Sequence, residues 1–255
     1  MDIRIATITR FPVKGLSAEH LDHVDLTAGG GLPHDRRFAI VHGASTFDLS
    51  EPAWRPKSNF LMLAKNERLA QLETAFDPTM GVLTIRRGGR QVARGQITTP
   101  MGRLLIDQFF AAFMAGEAPG MPHILEAPGH MLSDAPEKYV SIINRASVDD
   151  LERVVHVPVN PVRFRGNLLL EGPEPWEEAH WIGRGITIGD AHLTVERPIS
   201  RCAATNVDPV TGARDLNIPQ AMQRGYGHIN CGVYARVDRA GPVAVGDRAV
   251  LDPLP

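Results

Sequence analysis

The chain is short of cysteine, with two residues in 255, Cys202 and Cys231. Two thiols cannot staple a disulfide framework, and the first thirty residues lack the apolar core of a signal peptide. A reducing cytoplasm is therefore the expected compartment. No apolar run is long enough to span a bilayer, so a membrane protein is not expected. Neither sign of charge dominates: 27 Lys and Arg stand against 29 Asp and Glu, for a formal net charge of −2. Without a broad basic field, neither nucleic acid nor a membrane surface is an expected partner, and any anion site must be a local cluster. No CxxC pair and no HExxH spacing is present, which disfavours a structural zinc site or a zinc protease. The histidines are scattered; His34 and His228 lie beside turns, where a solvated loop histidine is the ordinary reading.

Short strands dominate what is there. Ile3 to Thr9 alternates, Val24 to Leu26 is brief, and Arg37 to Val41 follows a turn at Gly29-Gly30-Gly31. Leu83 to Arg86 and Gln91 to Ala93 flank Gly88-Gly89 as a hairpin. Gly102 to Ala115 reads as a helix, with Leu104, Leu105, Phe109, Ala112 and Phe113 as its apolar stripe and Asp107 and Gln108 opposite. Glu117 to Pro128 reads as a connector, Tyr139 to Ile143 as a strand, and Ser147 as the cap of a helix through Val154. Strands are expected at Phe164 to Leu170, Gly185 to Ile188, Ala191 to Val195, Cys231 to Val237 and Arg248 to Leu251. A short helix from Ile218 should end at Gly225. Many short strands with few short helices predict a mainly β fold of barrels or sandwiches. The length allows one large domain or two modest ones.

Cys202 sits in Glu196-Arg197-Pro198-Ile199-Ser200-Arg201-Cys202-Ala203-Ala204-Thr205-Asn206. Free cysteines are commonly buried and inert. Here the neighbours are arginines and polar residues. A nearby cation favours the thiolate, the form that binds a soft metal or attacks an electrophile. Asp208-Pro209-Val210-Thr211-Gly212 reads as a turn, so the thiol is expected on a loop. Cys231 lies in a strand pattern and reads as core. Lys14, Arg36, Lys57 and the pair Arg163 and Arg165 lie in four separate segments that place Lys or Arg with Gly, Pro or Asn at strand ends. Singly, each reads as an exposed charge; Arg163 and Arg165 would alternate on one strand face. Together they suit a pocket for an anionic cofactor, if the fold brings them into one place.

Those blocks together resemble the MOSC family, named for the C-terminal domain of molybdenum cofactor sulfurase. They are most similar to the amidoxime-reducing components and the bacterial reductases of N-hydroxylated compounds. The resemblance runs through Phe11-Pro12-Val13-Lys14, Gly31-Leu32-Pro33-His34-Asp35-Arg36-Arg37-Phe38, Arg163-Phe164-Arg165-Gly166-Asn167, Ser200-Arg201-Cys202, the Asp208 turn and Val245-Gly246-Asp247. It implies an N-terminal β-barrel-like module over residues 1–98 and a MOSC β-barrel over residues 99–255, though such folds can send an early strand into a later sheet. It makes Cys202 the protein ligand to molybdenum and the catalytic position, with the metal's other sulfurs supplied by the pterin dithiolene. Lys14 and Arg36 match positions holding the phosphate end of this molybdenum-pterin cofactor (Mo-molybdopterin). Arg165, Asn167, Ser200 and Arg201 match positions lining it, and Asp208 matches an acid that would order the loop. Two positions depart from relatives: Gly15 replaces a common serine, and Gly166 replaces the proline of eukaryotic Arg-Pro-Asn.

The implied activity is oxo transfer that reduces small N-hydroxylated or N-oxide compounds; soft sulfur ligands suit such a metal. The chain ends at Pro255 without a fused iron–sulfur domain, so electrons are expected from a separate donor protein of ferredoxin, flavoprotein or cytochrome type. The main alternative is a molybdenum cofactor carrier or a sulfur-relay module using a Cys202 persulfide. A third reading, a cysteine hydrolase with His228 as base, lacks a Cys-His-Asn signature. Loops that include Asp215 to Tyr226 are expected on the outer wall of the pocket.

Overall fold

The computed structural model describes residues 2–45, 47–48 and 50–253. In chain order these form β1 (Ile3–Arg10), β2 (Glu19–Leu21), β3 (His23–Leu26), β4 (Phe38–Val41), β5 (Glu73–Asp77), β6 (Val82–Arg87) and β7 (Arg90–Gln96). Then come α1 (Pro100–Phe113), β8 (His123–Glu126), β9 (Val140–Asn144), α2 (Arg145–Val155), β10 (Leu168–Glu171), β11 (Gly185–Ile188) and β12 (Ala191–Ser200). The last are α3 (Ile218–Tyr226), β13 (Asn230–Arg239), β14 (Gly241–Ala244) and β15 (Arg248–Leu251).

The alternation in β1 aims Ile3, Ile5 and Ile8 into a core shared with the C-terminal strands. β1 pairs with β10 on one side and β15 on the other, and the sheet returns through β11, β12, β13 and β9. Seven strands thus close into a barrel, which removes their free edges. The filling is period two: Ile186 and Ile188, Leu193 and Val195, Val233 and Ala235 all point inward around Trp181. The first strand of the chain therefore completes the later barrel, and β3 joins it there through β14.

The intervening residues build a second core. The β5–β6–β7 sheet, the β4–β8 pair and α1 enclose Val13, Phe38, Leu83, Ile85, Ile106 and Phe110. Gly88 and Gly89 make the expected hairpin, with φ of 56° and 74°, the left-handed pair that a two-residue turn requires. Helix α1, which begins just after residue 98, packs on β7 and β8 in this core.

Several local expectations are corrected. The buried face of α1 is Gly102, Ile106, Asp107, Phe110 and Phe113, while Leu104 and Leu105 are 45% and 48% exposed. A buried carboxylate decides this rotation: Asp107 accepts from Ile124 N at 2.7 Å and bonds His123, tying the helix to β8. The connector thus contains a strand, β8, paired in register with β4. Asn144, not Ser147, caps α2, accepting from Ala146 N at 3.0 Å; Ser147 is buried and donates to Glu178 at 2.8 Å. Helix α3 runs through Gly225 and stops at left-handed Gly227. Residues 164–167 are not strand. Pro161 opens a single 3₁₀ turn through Phe164, and Arg165 follows in the left-handed region at φ 51°. Arg163 and Arg165 therefore do not alternate on a strand.

One glycine carries the wall under the site. Gly232 in β13 has φ 76°, and an added Cβ would lie 2.4 Å from Ile142 O and 2.6 Å from Ile143 Cδ1. Strain and clash act together, so Gly232→Ala is expected to destabilise the protein by about 3–5 kcal/mol. Urea unfolding followed by circular dichroism reads this directly.

Candidate functional site

Several distant chain segments meet at the seam between the two cores. They line a cavity of about 300 Å³ that contains Lys14, Arg36, Lys57, Arg163, Arg165, Arg197 and Arg201 around the thiol of Cys202. Among the described residues Asp134 is the one carboxylate on its wall. Every residue expected at the site from the sequence, namely Lys14, Arg36, Arg165, Asn167, Ser200, Arg201 and Cys202, lines this one space.

Cys202 follows β12 and opens a 3₁₀ turn over Ala203–Asn206. Its carbonyl accepts from Thr205 N at 3.0 Å and Thr205 Oγ1 at 2.9 Å, which fixes the backbone and leaves the half-buried thiol on the cavity wall. The next turn is locked by Asp208. Its Oδ1 accepts from Val210 N, Thr211 N and Thr211 Oγ1, and its Oδ2 accepts from Arg163 at 3.2 Å. Arg163 also reaches Asp215 at 2.7 Å. Burial pushes the Asp208 carboxyl up, but the Thr211 and Val210 donors and Arg163 outweigh it and hold it below its ordinary value. Its stabilising effect is therefore complete above about pH 4, the usual range of an unfolded carboxyl, and fades as pH falls through the folded value. Asp208→Ala is expected to cost about 1–2 kcal/mol at pH 7, with a smaller difference from wild type at pH 3. Urea midpoints at the two pH values measure it.

Cys231 contrasts with Cys202. It lies in an apolar cluster with Ile143, Leu151 and Met222, and burial pushes its thiol up to about 12. Such a thiol is inert near neutrality.

The cationic end is built from the loops after β1 and before β4. Asp35 is buried and accepts from Phe11 N at 2.7 Å while pairing with Arg36. Arg36, at φ 47°, donates to Arg165 O at 2.6 Å, and both guanidinium groups stack on Phe11, at 4.5 and 4.1 Å from the ring centre. Arg165 Nη1 donates to Leu16 O at 2.7 Å, whereas its Nη2 is buried with no partner. Burial and the neighbouring Arg36 pull Arg165 down to about 9, so it remains charged at pH 7. Buried Lys14 donates to Leu132 O at 3.0 Å and Asp134 at 2.6 Å. Burial pulls its ammonium below the ordinary value; Asp134 opposes this, and Arg36 and Arg165 reinforce it. Gly15 turns the chain at φ 84°, a conformation a serine would adopt only with strain.

Asp134 bridges Lys14 to Lys57, at 3.1 Å from the latter. Burial would raise the Asp134 carboxyl, but the two lysines outweigh it and hold it far below the carboxylate range. Burial disfavours the charge on Lys57, yet Asp134 and the Cys202 sulfur hold its value above ordinary. Lys57 is thus the ammonium beside the thiol.

The remaining expected residues divide by partner. Arg201 donates to Cys231 O and to Phe164 O, the latter at 2.7 Å, so its guanidinium ties strand β13 to the 3₁₀ turn that ends at Phe164. Asn167 Oδ1 accepts from Ser141 N and Oγ, and its amide donates to Thr9 O at 3.1 Å. Ser200 lies exposed at the rim and donates to Asn230 at 2.8 Å. Asp134, Tyr139 and Tyr234 also line the cavity and were not read from the sequence. Asp134 lies alone in a loop, and the tyrosines look like ordinary strand residues, so no local signal marks them. None of residues 215–226 lines the cavity; Asp215 instead holds Arg163, and the outer wall comes from Lys57 and residues 131–139. No histidine lines it either; His228 rests against Trp176 and Tyr226, and His34 against Phe76, which removes the base that a cysteine hydrolase needs.

Among the described residues no group of three or more His, Cys, Asp or Glu could hold a metal alone. Cys202 can give a metal one ligand, and the surrounding cations suit an anionic organic group carrying the rest. Arg165 lines the cavity with one buried guanidinium nitrogen unpartnered, a donor whose hydrogen-bonding capacity the protein itself leaves unused. Fold and site together define a two-module β protein with a cation-lined cavity around a single accessible thiol. Two family models match it: the MOSC N-terminal beta barrel domain over residues 2–118 and the MOSC domain over residues 129–250. The chain belongs to the MOSC-domain family.

Among its relatives, the molybdenum cofactor sulfurase of Caenorhabditis elegans is 24% identical over 243 residues, covering 91% of this chain and 33% of that protein. Human mitochondrial amidoxime-reducing component 1 is 26% identical over 152 residues, covering 51% of this chain and 44% of that protein. The chain thus spans less than half the length of either relative. Among solved structures, the YUAD protein from Bacillus subtilis aligns with a TM-score of 0.46 at 12% identity, over 100% of this chain and 98% of that one. Among the described residues no helix is long and apolar enough to cross a membrane.

Proposed function

We propose that this chain binds the molybdenum-pterin cofactor in the cationic cavity, with Cys202 as the protein ligand, and reduces small N-hydroxylated or N-oxide compounds. The observation that carries the reading is one cysteine sulfur sharing a cavity with a buried, unpartnered guanidinium nitrogen and six further cations. Similarity to an amidoxime-reducing component supports the substrate class. When bound, the cofactor supplies two-electron redox chemistry at a metal able to take oxygen from nitrogen.

The chain's own residues hold and orient. Lys14, Arg36 and Arg165 hold the phosphate end, using the Arg165 Nη2 donor left free within the protein. Arg201 and Asn167 keep the floor rigid through their backbone bonds, so the thiol of Cys202 meets the metal at a fixed place. Ser200 lines the rim beside it. Lys57 adds positive charge to the wall that carries the sulfur. Electrons come from a separate ferredoxin-, flavoprotein- or cytochrome-type donor in the cytoplasm.

The sulfurase relative, which aligns over 91% of this chain, favours a second reading as a cofactor carrier or a persulfide relay on Cys202. One preparation separates them. The protein is purified from a host able to make the cofactor, assayed for molybdenum, pterin and sulfane sulfur, and then given a chemical reductant and benzamidoxime. Stoichiometric metal with turnover supports the reductase. Metal without turnover supports the carrier, and sulfane sulfur without metal supports the relay. Absence of all three overturns the cofactor reading.

A further inference from the structure

Part of the cavity wall is aromatic. Three barrel strands build it through their register. Tyr234 on β13 stands opposite Ser141 on β9, and Arg197 on β12 stands opposite Tyr234. A register shift between Val195 and Arg197 carries Arg197 to this outer face, because one extra residue reverses the side on which a strand presents its side chains. Tyr139 enters just before β9 and stacks on Tyr234, with ring centres 5.3 Å apart and planes 24° from parallel. The Arg197 guanidinium lies over both rings, at 5.6 and 4.9 Å from their centres. Among the described residues its one ion pair is with Glu137, at 3.7 Å with both side chains about half exposed, so the charge remains open to solvent and to a ligand. All three residues line the Cys202 cavity, and none is needed to hold the phosphate end.

We propose that Tyr139, Tyr234 and Arg197 form the substrate-selecting wall of this cavity, favouring flat, conjugated N-oxygenated compounds that carry an acidic substituent. This rests on the reductase reading above. The tyrosines offer a broad apolar face with little rotamer freedom to lose, which suits a flat ring more than a flexible chain. Arg197 and Lys57 are cavity cations with side chains 47% and 37% exposed, and an anionic substituent pairs with them while a cationic one is repelled.

Three probes test the proposal with the cofactor-loaded protein: benzamidoxime, 4-carboxybenzamidoxime and acetamidoxime. Wild type is expected to prefer the carboxylated compound, and acetamidoxime least. Arg197→Gln should lower the preference for 4-carboxybenzamidoxime over benzamidoxime, as a ratio of kcat/KM, about fivefold. Tyr139→Leu and Tyr234→Leu should lower the preference for benzamidoxime over acetamidoxime about tenfold. Tyr139 and Arg197 lie outside the buried cores, so those two variants test the wall even where Tyr234→Leu fails to fold. Unchanged preference ratios overturn the proposal. So does loss of pterin from the tyrosine variants, which would give the wall to the cofactor instead. Should wild type hold no molybdenum and reduce nothing, the reductase reading falls by itself. The wall is then tested by calorimetric binding of 4-carboxybenzamidoxime to wild type and Arg197→Gln: weaker binding to the variant supports the wall, and equal binding overturns it.

Discussion

Cys202→Ala should lose at least about a thousandfold in N-reductive turnover while folding normally. On the proposed reading the variant removes the protein ligand; among the described residues Cys202 is the one thiol on the cavity wall, the thioether of Met131 being a weaker donor, and outer contacts alone are commonly worth about 10–100-fold. The fold is spared because Cys202 belongs to no core cluster and its backbone carbonyl, which holds Thr205, is retained. Stability within about 0.5 kcal/mol of wild type is expected, as for a loop position away from the core. Cys202→Ser keeps the size but substitutes a harder oxygen, so metal content should fall in both variants. Cys231→Ala provides the contrast, with roughly 1–2 kcal/mol lost from a buried site and turnover retained. Turnover with benzamidoxime, metal analysis and urea unfolding on the three variants decide it. Wild-type turnover in Cys202→Ala removes the sulfur from the chemistry.

Arg165→Met is expected to separate stability from loading. In the cofactor-free protein, Arg165 is a buried cation beside Arg36 with one nitrogen unpaired, and its charge is paid for only in part by Leu16 O and the Phe11 face. Replacing it by an apolar side chain of similar length removes the desolvation and the repulsion. The cofactor-free variant should be as stable as wild type or more stable by about 1 kcal/mol. Cofactor retained through purification should fall more than about tenfold, because a charge-assisted fork to the anion is lost. Pterin fluorescence after acid release and thermal unfolding measure the two effects on the same samples. A variant that is destabilised yet fully loaded would make Arg165 a structural residue only.

Much of the site was legible because its signals are local. Cys202 among arginines, the glycine and proline turns beside Lys14 and Arg36, and the Asp208 turn are each written within a few consecutive residues. Their hydrogen bonds are also short in sequence, as when Asp208 accepts from Val210 and Thr211. Hairpin Gly88-Gly89 was legible for the same reason, since only glycine adopts both left-handed conformations freely. Positions set by distant partners were not legible. The orientation of α1 follows Asp107 and its bond to Ile124, which no periodicity of apolar residues encodes. Arg163 and Arg165 read as strand because basic and apolar residues alternate there, whereas Pro161 and the Asn160 side chain start a 3₁₀ turn. Asp134 matters through Lys14, 120 residues away in the chain.

The sequence by itself determined the β-rich class, the MOSC resemblance and the one thiol surrounded by cations, because turn chemistry, alternation and charge act between near neighbours. Only the tertiary structure decided that β1 closes the later barrel, and that distant loops and strands bring seven cations, one carboxylate and two tyrosines around Cys202. Closing the barrel fixes the register of its strands, and register alone sets which distant side chains face the same space.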